Sequence, residues 1–198
     1  MAENHLNESR VVVIGGSAGS LDTVMRIAGA INEFTQHTFI LVVHRKNTTD
    51  SNFEDLITSK TRLLVKEVED KEYITTGTIY IAPPDYHLLV EDQHMFSLDS
   101  SEKVHYSRPS IDVTFESAAL AFGTALTGIL LSGANADGAE GIRKIAKAGG
   151  YTIVEDPTTA SAAYMPQQAI NLVTVDAIVP GASMPGYLVK HLLNAGNR

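Results

Sequence analysis

Short runs of branched apolar residues alternate along this chain with stretches whose apolar positions recur at helical spacing. Val11-Val12-Val13-Ile14 is the first run, and Leu21, Val24, Met25, Ala28 and Ile31 then repeat at three- and four-residue intervals, which predicts a strand over 11–14 and an amphipathic helix behind it. Phe39-Ile40-Leu41-Val42-Val43 predicts a strand buried on both faces. A polar stretch, Lys46 to Ser51, leads to a short predicted helix over 52–60. The pattern then changes: short runs at 79–81, 87–90 and 95–98, divided by Pro83-Pro84-Asp85 and Glu91-Asp92-Gln93, predict an antiparallel meander. Alternation resumes with a helix over 111–122, a buried strand over 125–131 and a helix over 137–148. A strand at 151–154, a helix at 164–171, a strand at 174–178 and a last helix at 185–195 complete it.

Strands alternating with helices in this way specify an α/β fold, a doubly wound, mostly parallel sheet flanked by helices in a Rossmann-like arrangement, with the meander at one edge. At 198 residues the chain suits one domain. No linker is visible inside 11–195, so the expectation is a flexible segment over 1–10 and a single domain over 11–198. A hydrophobic fraction of 44% with 19% charged residues is that of a globular domain. The absence of cysteine excludes disulfides, thiol catalysis and cysteine-ligated zinc. No apolar run reaches the length of a membrane span and the N-terminus has no signal-like apolar core, so a cytoplasmic location, not inserted in a membrane, is expected. A net charge of −8 without a basic stripe argues against nucleic-acid binding.

In an open α/β sheet the ligand sits beyond the carboxyl ends of the parallel strands. Ser17 follows the first strand inside Gly15-Gly16-Ser17-Ala18-Gly19, His44 follows the second, and Asp137 closes the loop after the strand ending at Leu131. A serine raised on such a turn can act as a nucleophile, with histidine as its base and aspartate holding the imidazole tautomer. Each residue also has a structural reading: Ser17 as a helix cap, His44 as a satisfied strand-end histidine, Asp137 as an N-cap. Dinucleotide binding at the Ser17 turn is disfavoured, because the G-x-G-x-x-G spacing fails and no G-x-x-x-x-G-K-[ST] run exists. The remaining histidines follow no buried parallel strand, and no H-x-x-x-H pair suggests a metal.

Taken in order, Gly15-Gly16-Ser17-Ala18-Gly19, Val42-Val43-His44, Ile81-Ala82-Pro83-Pro84-Asp85-Tyr86-His87, Arg108-Pro109-Ser110-Ile111-Asp112, Leu131-Ser132-Gly133 and Asp137-Gly138-Ala139-Glu140-Gly141 resemble the catalytic domain of the CheB-type chemotaxis methylesterases. Met165-Pro166-Gln167-Gln168-Ala169-Ile170 adds a further match, and the resemblance runs from about residue 10 to 195. It implies hydrolysis of glutamate γ-methyl esters on the cytoplasmic helices of chemoreceptors, releasing methanol, with deamidation of receptor glutamines as a second activity. It implies Ser17 as nucleophile, His44 as base, Asp137 as orienting acid, the backbone N–H groups of Ala18 and Ala134 as oxyanion donors, and no cofactor or metal. Arg108 is a weaker substrate-binding candidate, for carboxylates beside the target glutamate, against a plain surface ion pair. Tyr164 and Met165 are candidates to line the cleft, against simple packing.

The chain departs from the family pattern in three places. Gly16 stands where alanine usually precedes the serine, Ser20 where a glycine is usual, and Ala134-Asn135 where Met-Gly usually precedes the aspartate. The asparagine is expected to keep that turn through its tolerance of left-handed backbone. Related proteins commonly carry an N-terminal receiver domain, and a separate or excised receiver is accordingly an expected partner. A competing expectation is a receptor-docking module of the same fold in which the altered loop impairs catalysis.

Overall fold

Val11–Gly16 (β1) forms the centre of a parallel sheet because its valines and isoleucine alternate between two apolar layers, each covered by helices. The computed structural model describes residues 11–31, 33, 35–45, 53–92 and 95–193. The expected 1–10 segment and the polar residues 46–51 lie outside the described residues. The order along the chain continues with helix α1 (Leu21–Ala30), β2 (Thr38–Val43), α2 (Phe53–Thr58), β3 (Leu64–Glu67), β4 (Thr78–Ile81), β5 (His87–Asp92) and β6 (Met95–Asp99). Helix α3 (Ile111–Phe122), β7 (Leu126–Leu130), α4 (Ala139–Lys147), β8 (Tyr151–Glu155), α5 (Tyr164–Leu172), β9 (Ala177–Val179) and α6 (Met184–Leu188) come after them.

The main sheet has seven strands in the order β3-β4-β2-β1-β7-β8-β9, every neighbouring pair parallel. Val12 and Ile14 point into a layer built with Val24, Ile27, Ile57 and Met184, from α1, α2 and α6. Val11 and Val13 point into the opposite layer with Phe115, Ile142, Ile145 and Met165, from α3, α4 and α5. Parallel strands buried on both faces need continuous apolar sequence, which explains why β1, β2 and β7 are the plainest to read.

Four elements differ from the sequence expectation. The run at 79–81 belongs to the main sheet as β4, parallel to β2 and β3, so the antiparallel portion is a two-stranded hairpin, β5–β6, forming its own sheet. That hairpin is fixed to α3, where the Thr114 hydroxyl donates to Leu88 O (2.8 Å) and Val90 N donates to the Ser117 hydroxyl (3.1 Å). Edge strand β3 escapes sequence reading because Leu64-Val65-Lys66-Glu67 contains only one fully buried side chain. The strand expected at 174–178 is shorter and shifted to 177–179, and the last helix is a short α6 followed by a π-type turn at Val189–Leu193.

Helix α3 presents its N-terminus to the carboxyl edge of the sheet, and one aromatic ring seats it. Phe115 is fully buried, and a Cβ at Gly15 would lie 2.4 Å from Ile111 Cγ2 and 3.0 Å from Phe115 Cζ, so α3 packs directly on the bare backbone of β1. Phe115→Ala should therefore lower the unfolding free energy by about 3–5 kcal/mol in urea titrations.

Candidate active site

Three loops leave adjacent strand ends, and the backbone ties them together before any side chain is considered. The order β2-β1-β7 sets the segments after these strands side by side at the point where the chain changes direction across the sheet. His44 N donates to Gly16 O (3.0 Å) and Ser17 N donates to Ser132 O (2.9 Å), continuing the ladders one residue past the strands. Ser17, His44 and the loop leading to Asp137 thus share one edge.

The Ser17 turn is held from beneath. Ser132 is fully buried and all its polar groups are used: its N–H donates to Glu155 Oε2 (2.8 Å), its hydroxyl donates to Ala18 O (2.8 Å) and accepts from Ala162 N (2.8 Å). Burial pushes the Glu155 carboxyl above the usual range, and the Ser132 amide opposes that only in part. Ser20, not Ser17, is the N-cap residue of α1, and its hydroxyl donates back to Ser17 O (2.8 Å). The Ser17 hydroxyl makes no hydrogen bond among the described residues, which removes the helix-cap reading. A Cβ at Gly16 would sit 2.6 Å from Ser20 Oγ, so Gly16 and Ser20 are two halves of one arrangement: the serine fills the space the glycine leaves.

Asp137 is fully buried, and four donors converge on it. His44 Nε2 lies 2.7 Å from Oδ2, Ile111 N donates to Oδ2 (2.8 Å), and Oδ1 accepts from the Ser110 hydroxyl (2.8 Å) and Asp112 N (2.9 Å). Burial alone would raise the Asp137 pKa; the hydrogen bonds from His44, the Asp112 and Ile111 amides and the Ser110 hydroxyl outweigh it and hold the carboxyl below its ordinary range. Asp137 does not cap its own helix. It receives the first amides of α3, while Asp112, in the first turn of α3, accepts from Gly138 N (2.9 Å) and Gly141 N (2.7 Å) at the start of α4. The two helices hold each other by exchanged carboxylates. Burial pushes the Asp112 carboxyl up to about 6 against those two amides.

His87 supports this constellation structurally. Its Nδ1 accepts the Ser110 N–H (3.1 Å) and its Nε2 donates to Glu102 O (3.0 Å), locking the residue that begins α3. Ser107 lies on the other side of His44, with Oγ 3.3 Å from Nδ1. Asn135 grips the same loop, Nδ2 donating to His105 O (3.4 Å) and to Ser107 Oγ (3.5 Å) while Oδ1 accepts from Asp137 N (3.2 Å). Asn135 is not among the residues with positive φ, so the expectation of a left-handed asparagine is corrected: its contribution is side-chain bonding. Left-handed backbone occurs instead at His105 (φ 49°) and Tyr106 (φ 61°), a conformation costing about 1–3 kcal/mol per residue with a side chain.

A cavity of about 690 Å³ opens beside His44 and is walled by Arg45, Lys103, Ser107 and Arg108. Arg108 sits on this wall, yet its Nη1 donates to Ser100 O and Ser101 O (2.6 Å each), so it braces the loop after β6 rather than pairing with an acidic side chain. Arg45 pairs with Glu67 and lies over the Phe53 ring. Tyr164 is exposed at the start of α5, whereas Met165 is fully buried and packs under Gly133. The cleft-lining expectation for Met165 is therefore corrected to packing. Among the described residues the amides of Ala18 and Ala134 donate to no protein acceptor, and no cluster of three or more His, Asp or Glu could hold a metal. Sequence reading misses Ser107, Ser110, Ser132 and Glu155 as site residues; only Ser110, just after Pro109 and opening an apolar helix, carries a signal, that of an N-cap.

A model of the CheB methylesterase family matches residues 12–188. A Leptospira interrogans protein provisionally named protein-glutamate methylesterase/protein-glutamine glutaminase is 39% identical over 168 residues, covering 85% of this chain and 87% of that protein. A Pyrococcus horikoshii protein of the same name is 32% identical over 182 residues, covering 90% of this chain and 50% of its own length, so this chain spans about half of that relative. The crystal structure of the Thermotoga maritima CheB methylesterase catalytic domain superposes with a TM-score of 0.85 at 30% identity, covering 92% of this chain and 98% of that one.

The packing and charge of the site set two expected outcomes. Gly16→Ala should destabilise by about 1–3 kcal/mol through overlap with Ser20, and adding Ser20→Gly should recover most of that loss; a double-mutant cycle in urea measures the coupling. The folded state holds the Asp112 proton more tightly than the unfolded chain, so stability contributed by that proton declines as pH rises from 3.8 to about 6 and stays lost above. Asp112→Asn keeps an acceptor for both amides and cannot ionise. Its stability relative to the parent should rise by about 1–3 kcal/mol between pH 4 and pH 7, read from unfolding titrations at each pH.

Proposed function

The chain belongs to the CheB methylesterase family, and from that premise we propose that it hydrolyses glutamate γ-methyl esters on chemoreceptor cytoplasmic helices through Ser17, His44 and Asp137. The 2.7 Å contact from His44 Nε2 to the buried Asp137 carboxylate, at the sheet edge shared with Ser17, is the observation that carries this reading. With Nε2–H committed to Asp137, Nδ1 is the ring nitrogen left to take a proton. Ser17 Oγ attacks the γ-carbonyl carbon while Nδ1 accepts the hydroxyl proton, and Asp137 stabilises the imidazolium. The oxyanion forms toward the open amides of Ala18 and Ala134, donors of a kind worth roughly 3–4 kcal/mol each in serine hydrolases. The C–O bond to the methoxy group then breaks, His44 returns the proton, and methanol leaves. Water, deprotonated by the same nitrogen, cleaves the glutamyl-serine ester and restores the free carboxylate and the hydroxyl.

The same steps with an amide substrate release ammonia, which accommodates glutamine deamidation. Ser107, 3.3 Å from Nδ1, holds the ring in its plane until substrate brings the Ser17 hydroxyl into line; hydrogen bonds of this kind commonly tighten only with substrate present. Departure from Met-Gly at Ala134-Asn135 leaves the Ala134 amide available, which favours an active enzyme over a docking module. No described helix is long and apolar enough to cross a membrane.

Methanol release from a methylated receptor cytoplasmic fragment tests the proposal. Ser17→Ala should reduce kcat by about 10³-fold or more. Asp137→Asn, which favours the wrong imidazole tautomer, should cost on the order of 10²–10⁴-fold in kcat. Undiminished release by Ser17→Ala would overturn the assignment.

A further inference from the structure

Tyr106 stands at the tip of the turn formed by residues 104–107, with 98% of its surface exposed and a backbone φ of 61°. Left-handed backbone is disfavoured for bulky side chains and adopted readily by glycine and asparagine. Such a residue persists when contacts offset its strain, and its neighbour His105 illustrates that: its carbonyl accepts from Asn135 Nδ2 and its Nε2 lies 3.3 Å from Asp112 Oδ2. Nothing comparable holds Tyr106, whose side chain makes no hydrogen bond, ion pair or ring contact among the described residues. The turn closes through Val104 N to Ser107 O (3.2 Å) and Ser107 N to Val104 O (2.8 Å), bonds that asparagine or glycine at position 106 would leave intact.

The interior of the domain therefore gives no reason for an aromatic residue at this position, while its location does. Tyr106 borders the cavity beside His44, next to the cation Lys103. His44 lines this cavity, and a glutamyl side chain is short, so an ester entering to meet the His44 ring leaves the backbone that carries it on the cavity's rim. If that backbone is helical, the side chains one turn away, at i±3 and i±4, face the same rim. Tyrosine is suited to that surface, since it offers a large apolar face at low entropic cost and is enriched where binding energy concentrates.

We propose that Tyr106 is a specificity-determining residue for a helical protein substrate, its ring packing on apolar side chains one turn from the glutamyl ester that enters the cleft. The inference rests on the esterase reading of the same cleft. Tyr106→Asn fits the backbone better, so its melting temperature should equal or exceed that of the parent. Against a methylated receptor cytoplasmic fragment its KM should rise about tenfold with kcat held within about twofold, and Tyr106→Phe should restore most of the loss. Binding of the fragment to Ser17→Ala and to Ser17→Ala/Tyr106→Asn reads the contact without catalysis and should show the same tenfold weakening. Unchanged binding, or a loss carried by kcat, would overturn the inference whatever the activity. Tyr106-dependent binding without methanol release would uphold it and overturn the catalytic assignment instead.

Discussion

The Asp137 carboxylate organises this end of the molecule. A buried ionised carboxylate is costly unless fully hydrogen-bonded, and here the donors come from two places far apart in sequence: the His44 ring after β2, and the Ser110 hydroxyl with the first amides of α3. Satisfying that one charge fixes the position of α3 against the loop after β7 and the orientation of the imidazole together. Loss of the carboxylate would strand the donors at the start of α3 as well as the histidine, so site and fold are coupled there.

Asp112 makes the coupling reciprocal. Lying in the first turn of α3, it serves the amides of Gly138 and Gly141 at the start of α4, while Asp137 immediately precedes α4 and serves α3. Each helix N-terminus, with its unsatisfied amides and positive dipole end, is met by an anion from the other. Asp112 carries the tension in this arrangement, because burial beside Asp137 favours its protonated form while the two amides favour its ionised form. Beneath the serine turn, Ser132 does for the backbone what Asp137 does for the side chains, joining the residues after β1, β7 and β8 through one buried serine and the Glu155 carboxylate.

Local side-chain fits complete this framework. Gly16 and Ser20 fit one another: a Cβ at position 16 would lie 2.6 Å from Ser20 Oγ, so the serine occupies the space the glycine leaves. Asn135 bonds to Ser107, His105 and the Asp137 amide, so the loop is held by a side chain and not by left-handed backbone at that residue.

Much of this is legible in the chain by itself. Strands β1, β2 and β7 are evident because a parallel strand covered on both faces must be apolar throughout, and the rule that ligands gather at their carboxyl ends singles out Ser17, His44 and Asp137 before any coordinates. Tertiary structure decided what local pattern cannot encode. Ile79 pairs with Val65 and Phe39 in a parallel sheet rather than with the hairpin that follows it, because pairing depends on partners remote in sequence. Met165 is sealed beneath Gly133, although its residue type suits a binding cleft, and Arg108, on the cavity wall, donates Nη1 to main-chain carbonyls. Ser132, Glu155 and Asp112 gave no periodic signal, since their importance lies in the donors that reach them, and those donors meet only when distant segments of the chain fold onto one edge of the sheet.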